Sequence, residues 1–160
     1  WLDRITGKSR PNVAEGGRDR LAAGFHINVV RLEDGRLLAM TRNQGGSDIH
    51  GHITMSYSND EGNTWAYRES PFPDIGSGQR LVLMRLAEGP LLLVSFDRGG
   101  MFASLSFDEG DTWPERKRID QGRRGYLAAT QTPDHLIHLI TSQQYYRFNL
   151  AWLKSPSDSE

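Results

Sequence analysis

An eight-residue phrase occurs twice: Ser-Asn-Asp-Glu-Gly-Asn-Thr-Trp at 58–65 and Ser-Phe-Asp-Glu-Gly-Asp-Thr-Trp at 106–113. Self-similarity at a fixed period of about 20–50 residues marks solenoids, propellers and arrays, so a 48-residue interval restricts the fold to a repeat architecture. The flanks of the octets show which one. Before the first octet lie apolar runs at Phe25–Leu32, Arg36–Thr41 and Ile53–Ser58, and Trp65–Glu69 follows it. Around the second lie Arg80–Leu86, Leu91–Phe96 and Met101–Phe107, then Trp113–Ile119. A third unit has Tyr126–Thr132, Leu136–Thr141 and Arg147–Leu153. In each unit the first two runs are joined by a tight turn: Glu33-Asp34-Gly35, Ala87-Glu88-Gly89 or Pro133-Asp134-His135. Such turns supply the positive φ that hairpins demand. No stretch has a convincing helical period, so the units read as antiparallel sheets of four strands, the pattern of β-propeller blades.

The third unit lacks a fourth run. Trp1-Leu2-Asp3-Arg4-Ile5 resembles the runs that follow the octets, compare Trp113-Pro114-Glu115-Arg116-Lys117, and is expected to supply an outer strand. Residues 6–23 read as linker or loop, the blades as 24–70, 79–120 and 125–154, and 155–160 as a disordered tail. Propellers have about four to eight blades, and three cannot close a ring. The expectation is therefore half of a six-bladed ring, either a fragment of a longer chain or one completed by a second copy in a homodimer. The chain begins on Trp1 and reads as processed or cut from something longer.

Composition removes several classes. Nineteen basic against twenty acidic residues give no electrostatic case for nucleic acid or an anionic membrane surface. The longest apolar run, Pro90–Val94, is too short to span a bilayer. Without cysteine there is neither a disulfide nor a thiolate metal site.

Within each octet, every residue has a use in folding. Asp60 and Asp108 can accept bonds from backbone N–H groups of their own turn. Gly62 and Gly110 can take positive φ. Trp65 and Trp113 can bury a large ring as the outer strand begins. A calcium or catalytic role for these aspartates is the lesser alternative. S-x-D-x-G-x-T-W is similar to the Asp-box, or BNR repeat, of the sialidase (neuraminidase) superfamily. The stretches Gly35–Ala39, Gln79–Leu83 and Tyr146–Leu153 also resemble bacterial sialidase-like BNR proteins, so the resemblance covers about residues 24–153. It implies an all-β propeller of sialidase type and favours a secreted or periplasmic setting. The Asp-box also occurs in propellers that are not sialidases, so activity must be argued from the site.

Strand order locates that site. In an up-and-down blade the turns between strands 1–2 and 3–4 share one face, and the 2–3 loops share the other with the starts of the inner strands. The second face therefore collects His26, Arg80 and Tyr126 with the loops Arg42–His52, Asp97–Gly100 and Ser142–Tyr145. Arg42, Arg80 and Arg98, with Arg123 beside them, suit the carboxylate of an acidic glycan. The resemblance implies an arginine triad, a tyrosine nucleophile assisted by a glutamate, and an aspartate acid/base. Gly125-Tyr126-Leu127-Ala128-Ala129 matches the tyrosine segment, so Tyr126 is the candidate nucleophile and Asp48 the candidate acid/base. Glu15 is the only glutamate in a plausible loop to partner Tyr126. Residues 120–125 form a short link where the family carries a longer insertion, and the family's Arg-Ile-Pro stretch is absent.

Each candidate has a plainer reading. Arg80 can be a solvated strand start, Tyr126 an ordinary channel aromatic, and Tyr145 and Tyr146 packing for the last blade or stacking partners for sugars. Asp48, His50 and His52 have metal-ligating side chains, but histidines flanking a glycine in a polar loop read as exposed, and neither metal nor other cofactor is expected. His135 and His138 read as structural. Three functions stay open: an exo-sialidase-type glycosidase, a non-catalytic glycan-binding or assembly propeller, and a His26-centred propeller enzyme acting on uronic-acid sugars.

Overall fold

The computed structural model describes residues 24–43, 51–76, 78–122 and 125–156. Unit one is β1 (Gly24–Arg31), β2 (Leu37–Asn43), β3 (His52–Ser58) and β4 (Ala66–Pro73). Unit two is β5 (Val82–Arg85), β6 (Leu91–Asp97), β7 (Gly100–Ser106) and β8 (Glu115–Asp120). Unit three is β9 (Ala128–Gln131), β10 (Ile137–Ile140) and β11 (Tyr145–Phe148). Each sheet is antiparallel with its strands in sequence order. These are propeller blades arranged as an unclosed, partial ring.

The hairpin turns repeat in bond pattern as well as sequence. Gly35, Gly89 and His135 each take positive φ and donate their amides to the carbonyls of Leu32, Leu86 and Thr132. His135, at φ 63°, does so without the glycine that carries this conformation in the first two units.

Unit two is the middle of the stack. Every residue of Leu91–Phe96 and of Gly100–Ser106 is buried, on both faces of the sheet. From the unit-one side, Phe72 at the end of β4 stacks on Phe102 with centroids 5.8 Å apart and meets Trp113 edge-on at 5.4 Å. Arg116 lies over the Phe102 ring at 4.5 Å. The third residue after each hairpin glycine or its stand-in occupies the same place in its blade: Leu38, Leu92 and His138. The two leucines are fully buried. His138 is half-buried, with Nδ1 2.7 Å from the Tyr145 hydroxyl and Nε2 3.0 Å from Thr132 Oγ1. Neighbouring Ile140 and Tyr145 are 51% and 57% exposed, so this face of unit three is not packed as a blade interface.

The end of the chain differs from the strand expected over Arg147–Leu153. Strand β11 stops at Phe148, and a five-residue helix, α1 (Leu150–Lys154), follows. The Asn149 side chain accepts the amide of Trp152 at 2.9 Å, a helix N-cap that ends the strand. Ser155 and Pro156, expected in a disordered tail, are held by Lys117 of β8, whose Nζ donates to both carbonyls at 3.0 and 2.8 Å. Residues 1–5, expected as an outer strand, lie outside the described residues.

Candidate functional site

The first strands of the three units lie side by side, and this places the site. Asn28 of β1 donates its side-chain amide to the carbonyl of Leu81 at 3.2 Å and to that of His26 at 3.1 Å. Arg80 and Tyr126 form a parallel bridge: Arg80 N donates to Gly125 O at 3.4 Å, and Leu127 N to Arg80 O at 3.3 Å. Residues far apart in sequence thus meet where the inner strands begin.

His26 sits in a bulge of β1, where the register shifts between Phe25 and Asn28. Its φ of 62° is sparsely populated for a non-glycine residue, and bulges of this kind re-aim a side chain. The imidazole meets the Tyr126 ring edge-on, with centroids 4.9 Å apart and planes at 64°. Partial desolvation, and then the positive charges of Arg42 and Arg80, hold the His26 pKa below the ordinary histidine value, so the ring is neutral at neutral pH. Arg42 is buried near the end of β2 and donates from one terminal nitrogen to Gly76 O at 3.1 Å. Arg80 is exposed, and its guanidinium makes no hydrogen bond or ion pair with the described residues. Tyr126 is 47% exposed. Its amide donates to Ser142 Oγ at 3.2 Å, while its phenol makes no hydrogen bond with a described residue. The cluster is thus a neutral base, two cations and an accessible phenol, suited to an anion bearing an apolar or hydroxylated ring.

Other expected members fall elsewhere. Arg98, on the β6–β7 turn, lines a separate depression of about 520 Å³ with Pro73, Asp74, Asp97, Gly99 and Arg118. Neither His26, Arg42, Arg80 nor Tyr126 lines it. Asp97 there is gripped by Arg118 through two bonds of 2.8 and 3.0 Å. Asp48, His50, Glu15 and Arg123 lie outside the described residues. His52 is tied to β4, with Nδ1 2.7 Å from Ser70 O and Nε2 3.5 Å from Glu69.

One tyrosine does meet a carboxylate, and it is not Tyr126. The hydroxyl of Tyr146 on β11 sits between the Asp120 carboxylate at the end of β8 and the Gln144 side-chain oxygen. Asp120 also accepts the amide of Gly122 at 2.6 Å. Sequence reasoning missed this pair because its members are 26 residues apart in different blades, and no local motif joins them.

The octets contribute bonds within their own turns rather than to this site. In the first, Asp60 accepts from Ser58 Oγ and Thr64 N, both at 2.8 Å, and from Thr64 Oγ1 at 2.7 Å. Ser58 Oγ accepts Gly62 N at 2.8 Å, and Trp65 Nε1 donates to Gly62 O at 3.1 Å. The second octet repeats each bond through Ser106, Asp108, Gly110, Thr112 and Trp113.

Residues 6–139 match the BNR repeat-like domain. The chain belongs to that family. Its blades are therefore sialidase-type BNR blades, and at family level this is a sialidase-like module. A relative from Micromonospora viridifaciens, described as a sialidase, is 29% identical over 144 residues, which covers 78% of this chain and 22% of that protein. The chain thus spans under a quarter of that relative's length. Among the described residues, no helix is long and apolar enough to cross a membrane.

Proposed function

We propose that this BNR module binds the carboxylate of an acidic sugar at Arg80, with the buried Arg42 reinforcing the positive field, and that it cleaves a sialoside there by exo-sialidase-type hydrolysis. The observation that carries the reading is the exposed Arg80 guanidinium, without a counter-ion among the described residues, bridged through the backbone to an exposed Tyr126. The description of the Micromonospora relative as a sialidase supports the same substrate class. In this reading the Tyr126 oxygen bonds to the anomeric carbon as the glycosidic C–O bond breaks. The phenol proton passes to neutral His26, whose ring lies against Tyr126. Asp48 gives a proton to the departing oxygen; water then bonds to the anomeric carbon as the tyrosyl–sugar bond breaks, its proton passing to Asp48 while His26 returns a proton to the Tyr126 oxygen. Arg98, in its separate depression, serves an outlying part of the glycan.

A second reading, glycan binding without turnover, is favoured by one observation: among the described residues no carboxylate hydrogen-bonds to Tyr126. A third, in which His26 is the base for a uronic-acid sugar, is favoured by the neutral, strained His26. Fluorogenic sialosides and uronides, assayed beside calorimetric binding of sialyllactose, separate the three. Under the leading reading Tyr126→Phe loses at least about 100-fold in sialoside turnover while binding is kept, and Arg80→Ala weakens binding about 10-fold or more. Sialyllactose binding with no hydrolysis selects the second reading. Uronide cleavage that survives Tyr126→Phe and fails in His26→Ala selects the third.

A further inference from the structure

Unit three departs from the other two blades at three core positions at once. By place in the hairpin, Thr132 corresponds to Leu32 and Leu86, and His138 to Leu38 and Leu92. By strand register, Tyr145 corresponds to Met55 and Ala103. All six counterparts are apolar and buried. The blade can therefore be built without polar groups here, yet unit three carries a hydroxyl, an imidazole and a phenol, and the three bond to one another. Departures of this kind from the packing rule are expected at functional sites. The bonds also run in one direction. Thr132 Oγ1 has one proton, and two of its partners, the Asp134 carboxylate and the Leu136 carbonyl at 3.2 Å, can only accept it. Toward His138 Nε2, 3.0 Å away, the same oxygen must then accept, which in the neutral imidazole puts the ring proton on Nε2. Nδ1 is left bare and accepts the Tyr145 hydroxyl at 2.7 Å. The Thr132 bond holds the Asp134 carboxyl below its ordinary value, so the far end of this relay is a carboxylate at neutral pH.

We propose that Tyr145 is a nucleophile assisted by His138, sharing no residue with the channel cluster, and that it takes an acyl group from an activated ester. The phenolic oxygen bonds to the ester carbonyl carbon as its proton passes to His138 Nδ1. The bond from that carbon to the leaving oxygen breaks, the electron pair goes with the leaving oxygen, and the imidazolium gives it the proton. The acyl group stays on Tyr145. Thr132 and Asp134 hold the imidazole in the tautomer that can accept. Arg147 lies two residues beyond Tyr145 on β11 and so shares its face of the strand. It is exposed, and its guanidinium makes no hydrogen bond or ion pair with the described residues. It offers a cation to the negative charge that develops on the carbonyl oxygen. Tyr145 lines a groove of about 600 Å³ whose walls include Leu136, Phe148 and Trp152, an apolar seat for the aryl part of an ester.

The probe is p-nitrophenyl acetate, with acetylation followed site by site by peptide mass spectrometry. Tyr67 is the internal standard: it is 43% exposed against 57% for Tyr145, and its hydroxyl makes no hydrogen bond with a described residue. Tyr145 is expected to be acetylated at least about 100-fold faster than Tyr67. His138→Leu, which restores the residue of the other two blades, should bring Tyr145 down to about the rate of Tyr67, and His138→Gln, which keeps a polar side chain, should do the same. The Tyr67 rate, unchanged across the variants, reports that the fold is intact. Equal rates at Tyr145 and Tyr67 in the unaltered chain overturn the proposal. Fast acetylation that survives both His138 variants also overturns it, because the base is then not His138. Tyr145→Phe should remove the acetyl group from the peptide that carries Tyr145 and Tyr146. An acetyl group retained there assigns the reaction to Tyr146 and overturns the proposal as well.

Discussion

The two octets share the bonds of their serine, aspartate, glycine, threonine and tryptophan side chains and turns, to which octet one adds a bond from the Asn63 side chain to Asp60 O, and they differ in their surroundings. Octet one faces outward through Glu61, which pairs with Arg31 of its own blade at 2.6 Å with two-thirds of its side chain exposed. Octet two is wedged against unit one. Glu109 pairs with Arg85 at 2.6 Å, as Glu61 does with Arg31, and also accepts the amide of Glu33 from the preceding blade at 2.7 Å. Gly110 lies against Leu38, and its carbonyl accepts the Tyr57 hydroxyl at 3.4 Å. The same phrase thus folds a turn in both places and joins two blades only where a preceding blade lies against it.

The widest difference between the octets is expected at their glycines. Both take positive φ, 84° at Gly62 and 90° at Gly110, so alanine costs about 1–2 kcal/mol at either from backbone strain. At Gly62 the added Cβ would meet Trp65 at 3.4 Å, an ordinary contact, but at Gly110 it would lie 2.9 Å from the Leu38 side chain. Gly110→Ala should therefore cost about 1–3 kcal/mol more than Gly62→Ala through overpacking, read as a lower urea midpoint at unchanged slope. Equal losses would break the contrast and show that Leu38 yields without cost.

The next comparison should show no difference. Ser58 and Ser106 are buried and bond only within their own octets. Alanine at either should cost about 1–3 kcal/mol by leaving the glycine amide unpaired. The two losses should be close to equal, because each hydroxyl accepts its octet's glycine amide and donates to its octet's aspartate at the same distances. A larger gap would mean that the blade interface reaches inside the octet.

Acidification should sharpen the comparison further. Bonds from Thr64 and Ser58 hold the Asp60 carboxyl below its ordinary value. Burial alone would raise Asp108, but bonds from Thr112 and Ser106 outweigh it. The Arg85 bond lowers Glu109 against a smaller opposing effect of burial, and the Glu33 amide lowers it further. Because these folded values are depressed, the stabilisation is complete above the unfolded carboxylate value of about 4 and is lost as pH falls through the folded values. Thermal melts should show stability falling below about pH 4. Asp108→Asn should flatten that fall by removing one of the depressed groups, and an unchanged acid limb would count against the octet bonds as its source. The smallest effect is expected at the glutamates themselves. Glu61→Gln should leave the melting temperature unchanged, whereas Glu109→Gln should lower it slightly by weakening the Arg85 bond.

Much of the fold was legible because its signals are local. The hairpin turns sit in consecutive residues, and the octets bond across only four residues, so their register survives without knowledge of the neighbours. The end of unit three was misread because apolar content over Arg147–Leu153 fits a strand or a short helix equally well. The cap at Asn149 decided between them. The site was legible only in part. Strand order put His26, Arg80 and Tyr126 on one face, and in the structure Arg80 is bridged to Tyr126 while the His26 ring touches it. That Arg98 lines a different depression depends on how the blades rotate against each other, which no single blade encodes.

The repeat, the blade and the octet turns could be read from the residues alone, because each is closed by bonds between residues a few positions apart. Tertiary structure decided which octet joins two blades, which face of unit three stays open, and which tyrosine meets a carboxylate. Those outcomes rest on contacts between residues about 25–100 positions apart, whose geometry exists only once the sheets stack and bury their apolar faces.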